Sequence, residues 1–524
     1  MGLKYKLGTA IALTVLLSLI HDAQPYRILI APMVCGLTSR LMNMVTMSDM
    51  LAQDGHQVDV ILNNRVPDRL HPKHANIINF NVPDSIIDVT EMPIDAFQFE
   101  GLAYFESMEG FHLMQLKFCE ILFADDRATK KLRAEQYDLM IADYSLTCVA
   151  VLGSNLNVTT ILYQNFGYYP DSTIYFPTFP SFVCQTIGIH CESEEMSFYE
   201  RVVNTLFLAA NNYYVNPHHI TLQKELAKNS GIELKTPLET FNEDKIMLVN
   251  ADWVFHTPRP TMPHLFAISG LFYKQPSPLP AEFQKIIDQS GPHGVILVSF
   301  GTLVPMFSPK TAEKFAKVFG KLKQQVIWRY IGEKPIGLQK NTHLIEWLPQ
   351  NDLLANPAIK LFITHCGISS TFESIFHTVP LIAMPLFLDQ TYNAVKVANR
   401  IKTGLKLDYH TFTENELQEA IEEVLNNPTY KENAKRTLEI MSDRLVPPVQ
   451  QLRHLVNFTI KTEGAKHLFH PYAVRMSWFT YFSVDVVLFL LSICIVFTLA
   501  ILFILRTLFR CCCKRKESVK IKKQ

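Results

Sequence analysis

Residues 361–373 read Leu-Phe-Ile-Thr-His-Cys-Gly-Ile-Ser-Ser-Thr-Phe-Glu. Leu361, Phe362, Ile363 and Thr364 make a short apolar, β-favouring run that predicts a buried strand. His365, Cys366 and Gly367 sit at its carboxyl end, and Ser369, Ser370 and Thr371 are natural caps for a helix that continues through Glu373. A strand, a turn and a helix N-terminus bring free backbone amides, hydroxyls and an imidazole to one point. Such a point suits a diphosphate without a lysine or a metal ion. Alone, a Ser-rich turn is more often simply a cap, so its surroundings must decide.

Outward from this stretch, strands are predicted at 295–300, 326–330, 343–347 and 381–384. An earlier series falls at 26–31, 58–62, 137–141, 159–163 and 246–249, with Leu41, Met44, Val45, Ser48 and Leu51 at helical spacing between the first two. Strand, helix, strand in two series predicts an α/β protein with two parallel-sheet domains. Pro258, Pro260, Pro263, Pro276, Pro278 and Pro280 lie between the series and interrupt both helix and central strand. The expected organisation is therefore an N-terminal domain at 24–256, a linker at 257–290, and a C-terminal domain with terminal helices at 291–470. A nucleotide site would lie in the cleft, at the carboxyl ends of the second domain's strands.

Both chain ends carry signals. Lys4 and Lys6 precede an apolar run ending near Ala23, the layout of a signal peptide at 1–23. Residues 486–505 hold no charge and would span about 30 Å of hydrocarbon as a helix. Trp478, Phe479, Tyr481 and Phe482 precede them, and the basic tail 506–524 follows, which predicts a single-pass type I anchor with the body in the lumen. Cys511, Cys512 and Cys513 suit palmitoylation, and Lys520 and Lys522 resemble a dilysine retrieval signal. Of the 524 residues 49 are basic and 49 acidic. Tail and leader take ten of the basic and two of the acidic residues, leaving a body near −8, which argues against a nucleic-acid partner. No cysteine spacing suits zinc. Cys184 and Cys191 could bridge a short loop, while Cys35, Cys119, Cys148 and Cys366 read as buried thiols. Asn157 and Asn457 open potential glycan sequons.

Trp347-Leu348-Pro349-Gln350, His365-Cys366-Gly367, Ser370, Glu373, Pro380, Pro385 and Asp389-Gln390 together resemble the signature of the UDP-glycosyltransferases, in particular the membrane-bound animal UDP-glucuronosyltransferases. The resemblance extends through Ser299-Phe300-Gly301-Thr302, Gln350-Asn351-Asp352-Leu353-Leu354, Lys431-Glu432-Asn433 and Gly464-Ala465-Lys466-His467-Leu468. It implies the GT-B fold, two facing Rossmann-like domains, the second binding the nucleotide sugar and the first the acceptor. Trp347 would stack on uracil, Gln350 bond the base or ribose, and Glu373 accept from the ribose hydroxyls. Thr302, His365, Gly367 and Ser370 would hold the diphosphate, and Asp389 and Gln390 the sugar hydroxyls. It further implies an inverting, metal-independent reaction with no resident cofactor. The co-substrate would be UDP-glucuronate or UDP-glucose, the acceptor small and lipophilic, the setting the endoplasmic reticulum membrane, and relatives are candidate homo- or hetero-oligomer partners. In the first domain, Met196 to Arg201 and Asn204 look like acceptor-side scaffold, and the aromatic-rich segments 92–123 and 168–194 are read as loops shaping an apolar acceptor pocket.

One position departs from the family. Its catalytic base is a His in a run similar to Ser-His-Trp-Met-Asn, where this chain has Ser39-Arg40-Leu41-Met42-Asn43. A guanidinium stays protonated and offers no lone pair, so Arg40 cannot be a general base. The partner carboxylate is retained as Asp143, in Ile141-Ala142-Asp143-Tyr144, and an Arg40–Asp143 ion pair is expected. Three outcomes follow: transfer to acceptors that arrive as anions, binding of donor and ligand without turnover, or a base supplied by another histidine. His56, which introduces the second strand, reads as structural.

Overall fold

A computed structural model describes residues 25–33, 35, 38–86, 103–167, 195–210, 216–234, 245–259, 261–301, 307–469 and 476–521. Thr302, Cys184, Cys191 and the segments 1–24, 87–102 and 168–194 lie outside them. The described residues up to Leu468 form one compact body and those from Phe469 onward a second unit.

Two parallel sheets build the body. The first contains β1 (Arg27–Ala31), β2 (Gln57–Asn63), β3 (Asn76–Phe80), β4 (Leu139–Asp143), β5 (Thr160–Gln164), β6 (Ile246–Val249) and β7 (Leu265–Ala267), in the order β3-β2-β1-β4-β5-β6-β7. The second contains β8 (Val295–Ser299), β9 (Gln325–Arg329), β10 (Thr342–Ile345), β11 (Ile359–Thr364), β12 (Leu381–Ala383) and β13 (Gly404–Lys406), in the order β10-β9-β8-β11-β12-β13. Continuous apolar runs such as Leu139 to Ala142 and Val295 to Val298 are fully buried, as a sheet covered by helices on both faces requires. In each sheet the order reverses beside its first strand, at β1/β4 and at β8/β11. Ligands of such sheets lie outside the carboxyl ends of the strands at that switch point. Asp143 closes β4, and His365 follows β11 directly.

All ten predicted strands are present within a residue or two, and three were not anticipated. β7 and β13 have three residues each, and β3 is interrupted by the polar Asn76 and Asn79, so none carries a readable period. The segment 103–124, read as loop, is a helix, Ala103–Ala124, whose Leu116, Phe118, Cys119 and Leu122 enter the first core. Cys119 and Cys148 form a disulfide, correcting their reading as thiols. They lie 29 residues apart in sequence, and only the packing of this helix beside the β4 loop brings them together.

The expected linker is shorter. β7 extends the first sheet, and the helix Ala281–Gln289 packs Phe283, Ile286 and Ile287 under the second, leaving 268–280 as the crossing. The terminal helices also divide differently. Pro448–Lys461 returns to the first domain, burying Leu452, Leu455 and Val456 with Ile28, Ile30, Met44 and Met47, and Arg453 Nε donates to Asp54 Oδ2 at 2.6 Å. An amphipathic helix states that it has an apolar face but not which of two similar sheets will cover it.

In the second unit, Val484–Ile521 is one helix, and its stretch Val484–Arg510 is long and apolar enough to cross a membrane.

Candidate active site

The switch points of the two sheets face one cleft of about 380 Å³. From the second domain, Gly367, Ile368, Ser369 and Ser370 line it at the start of the helix Ile368–Phe376. Gly367 caps that helix without a side-chain hydrogen bond, and the buried Ser369 hydroxyl has no partner among the described residues. Although the Ile368 amide is taken by Asp389, the tip still presents the Ser369 hydroxyl and a helix N-terminus, the arrangement an anion needs. His365 stands beside it, clasped by two glycines. A Cβ on Gly301 would lie 2.7 Å from the imidazole and one on Gly367 2.6 Å from its Nε2, so the ring fits only while both positions lack a side chain. Burial lowers the His365 pKa to about 4, an effect that the Ser299 backbone opposes and Arg329 reinforces. The ring is therefore neutral at pH 7 and can donate one hydrogen bond.

The other end of the cleft, bordered by Trp347, begins at Pro349, which precedes the helix Gln350–Leu354. Gln350 Nε2 donates to Ser370 Oγ at 3.0 Å and to Glu373 Oε2 at 2.6 Å, tying the two helices. Loss of water raises the Glu373 pKa to about 7, opposed by the Gln350 hydrogen bond and by Lys274. The Trp347 indole is 37% exposed and lines the cleft, and the Arg69 guanidinium lies 4.4 Å from its ring centroid. Trp347, Gln350, Ser370, Glu373, His365, Gly367, Asp389 and Gln390 all border the same space. Two of these are more occupied than their expected roles suggest. Gln390 Oε1 accepts from the amides of Leu386 at 2.9 Å and Phe387 at 3.2 Å, so it pins the preceding turn. Asp389 is 3% exposed and accepts from Asn393 Nδ2 at 2.7 Å; burial raises its pKa to about 6 against that bond, its own amide, Arg40 and the Ile368 amide.

Arg40 and Asp143 meet at the first domain's side, both essentially buried. Arg40 Nε donates to Asp143 Oδ2 at 2.9 Å, and Nη2 donates to Asp143 Oδ1 and, at 2.9 Å, to Ser145 Oγ. Ser145 N gives Oδ1 a further bond at 2.9 Å, and Phe166 lies 4.2 Å from the guanidinium. Both carboxylate oxygens are engaged. Among the described residues His365 is the only histidine lining the cleft. His56 accepts from Tyr26 N at 3.2 Å, and His112, kept neutral by burial, pairs with Thr147 at 3.0 Å.

Three cationic residues were missed. Arg329 closes β9, borders the cleft and donates to the Gly301 carbonyl, and Lys274 also lines the cleft. The carboxyl end of a parallel strand was the available signal for Arg329. Arg69, in a short 3₁₀ turn, has no such signal.

Two parallel α/β domains facing across a cleft at their strand ends define a GT-B glycosyltransferase fold. Solved structures share it at TM-scores of 0.57 for a UDP-glucosyltransferase from Polygonum tinctorium that glucosylates indoxyl (16% identity, 84% of this chain and 99% of that one) and 0.55 for the calicheamicin glycosyltransferase CalG4 (16%, 83% and 98%). The chain belongs to the UDP-glucoronosyl and UDP-glucosyl transferase family, whose model matches residues 27–520. UDP-glucuronosyltransferase 2B30 of Macaca fascicularis is 31% identical over 87% of this chain and 88% of its own length, and UDP-glucuronosyltransferase 1A7 of Mus musculus 31% over 94% and 92%.

Proposed function

We propose that this family member transfers glucuronic acid or glucose from a UDP-sugar to a small lipophilic acceptor, inverting the anomeric carbon and needing no metal ion. The observation that carries this reading is the shared cleft of Trp347, the Gln350–Glu373 pair and the open tip of the helix Ile368–Phe376. An indole face takes a uracil ring, and a carboxylate takes a ribose diol. Thr302, the helix amides, Ser370 and the neutral His365 would hold the diphosphate, and the nearby Arg329 supplies positive charge as it leaves. Asp389 would read sugar hydroxyls while Gln390 holds the turn that presents it. The body would work in the lumen of the endoplasmic reticulum, anchored by Val484–Arg510. The Cys119–Cys148 disulfide supports an oxidising compartment.

A second reading has its own support. Both oxygens of Asp143 are engaged and the residue beside it cannot accept a proton, so a ligand-binding protein with little turnover is the alternative. Loss of a general base typically costs a factor of about 10² to 10⁴, which slows neutral alcohols without abolishing their transfer. Membranes holding this chain, supplied with labelled UDP-glucose and UDP-glucuronate and mixed phenols and carboxylic acids, decide between the two by mass spectrometry. Labelled conjugates support the transferase. UDP binding with no conjugate supports the binding protein, and no UDP binding overturns both.

A further inference from the structure

We infer that Arg40 makes the acceptor site selective for carboxylates, so that the product is the 1-O-acyl ester of the transferred sugar. This rests on the donor reading above and extends it to the acceptor's chemistry.

Arg40 has one edge to spare. Nε and Nη2 are consumed by Asp143 and Ser145, whereas Nη1 is buried and unpartnered among the described residues, and Arg40 lines the cleft. The bidentate pair and the stacked Phe166 fix the guanidinium plane, so Nη1 cannot turn away to find solvent. A buried donor without an acceptor is costly, and a ligand oxygen relieves that cost. What Arg40 offers an acceptor is therefore a charged N–H, while the Asp143 carboxylate beside it is committed to Arg40 and Ser145. Nor does Asp389, across the cleft, substitute as a base, since its carboxylate already accepts from Asn393 and from the amides of Ile368 and Asp389. Met42, Phe166, Phe272, Phe387 and Leu388 give the same cleft apolar walls for the rest of the ligand.

The reaction balances without a base. A carboxylate oxygen contributes its electron pair to the anomeric carbon while the bond from that carbon to the β-phosphate oxygen breaks. That pair leaves on UDP, and no proton moves. A hydroxyl acceptor would have to lose a proton, and neither Arg40 nor the engaged Asp143 is free to take it. A neutral amine also needs no base, but its protonated form is repelled by Arg40.

The test compares 4-phenylbenzoate with 4-phenylbenzyl alcohol and 4-phenylbenzylamine on the full-length chain in membranes, after UDP binding has been measured separately. Failure to bind UDP sinks the donor reading; the remaining outcomes concern this inference alone. The expected result is an ester cleaved by hydroxylamine, with kcat/KM for the carboxylate about tenfold or more above the other two, the gain of one hydrogen bond to a charged group. With UDP-sugar saturating at each pH, its rate should be flat from pH 6 to pH 8, because the acceptor is already ionised. Arg40→Lys keeps a cation against Asp143 but has no second edge, so the KM for the carboxylate should rise about tenfold and the preference disappear. Equal or faster transfer to the alcohol or amine, an unchanged preference in Arg40→Lys, or UDP binding without turnover on any of the three overturns the inference.

Discussion

Replacing Arg40 by His installs the residue that the resemblance to the UDP-glycosyltransferases implies beside Asp143, and the structure sets both its benefit and its cost. Arg40 now gives Asp143 two of its three hydrogen bonds, the third coming from Ser145 N. An imidazole can give one. Removing one partner of a buried ion pair outright costs about 3–5 kcal/mol, and the single bond retained by His should hold the loss to roughly half of that range. The gain lies in the ring's second nitrogen, an acceptor at a cleft-lining position where the buried Nη1 is now a donor. A positioned base contributes about 10² to 10⁴; since Asp143 is placed for a longer side chain, an increase of at least about tenfold in kcat/KM on a neutral phenol is expected. Conjugate formation from labelled UDP-sugar measures it, with a melting curve to show that the variant is folded. A folded variant with unchanged phenol activity would refute the placement of position 40 opposite the reacting hydroxyl.

Three further outcomes test the donor end. Trp347→Ala should weaken UDP binding by about 1–3 kcal/mol, the worth of one base stacked on an aromatic ring, read by calorimetry; an undiminished affinity would place the uracil elsewhere. Glu373 has its pKa raised by burial to about 7, so the folded chain holds a proton that the unfolded chain releases near pH 4.5. Ionising this carboxyl therefore opposes folding as pH rises through that window, whereas a ribose diol favours the ionised form. UDP affinity should accordingly rise between pH 6 and pH 8, and Glu373→Gln should flatten the profile; a profile that keeps its slope in the variant counts against the ribose contact. Gly367→Ala would set a Cβ 2.6 Å from His365 Nε2 and must displace the ring. Turnover should fall about tenfold or more for one lost oxyanion-type donor with UDP-sugar still bound, and full kcat would show that His365 is dispensable.

Much of the architecture was legible because a strand buried on both faces must be continuously apolar over four or five residues, as Leu139 to Ala142 and Val295 to Val298 are. The turn at His365 and the helix running through Glu373 follow from that reading, whereas Trp347 and Asp143 were picked out by the resemblance to the UDP-glycosyltransferases.

Relations between distant segments were not legible. Whether Cys119 meets Cys148, which sheet receives Leu452 and Leu455, and that Arg69 from a short turn lies over Trp347 all depend on how helices dock, and a helix's apolar face does not name its partner. Arg40 shows the division within one residue. Its identity ruled out a proton acceptor from chemistry alone. That one edge of its guanidinium is spent on Asp143 and Ser145 while Nη1 is left buried without a partner among the described residues is a consequence of three-dimensional packing, because hydrogen-bond capacity belongs to a residue but its use belongs to the neighbours the fold supplies.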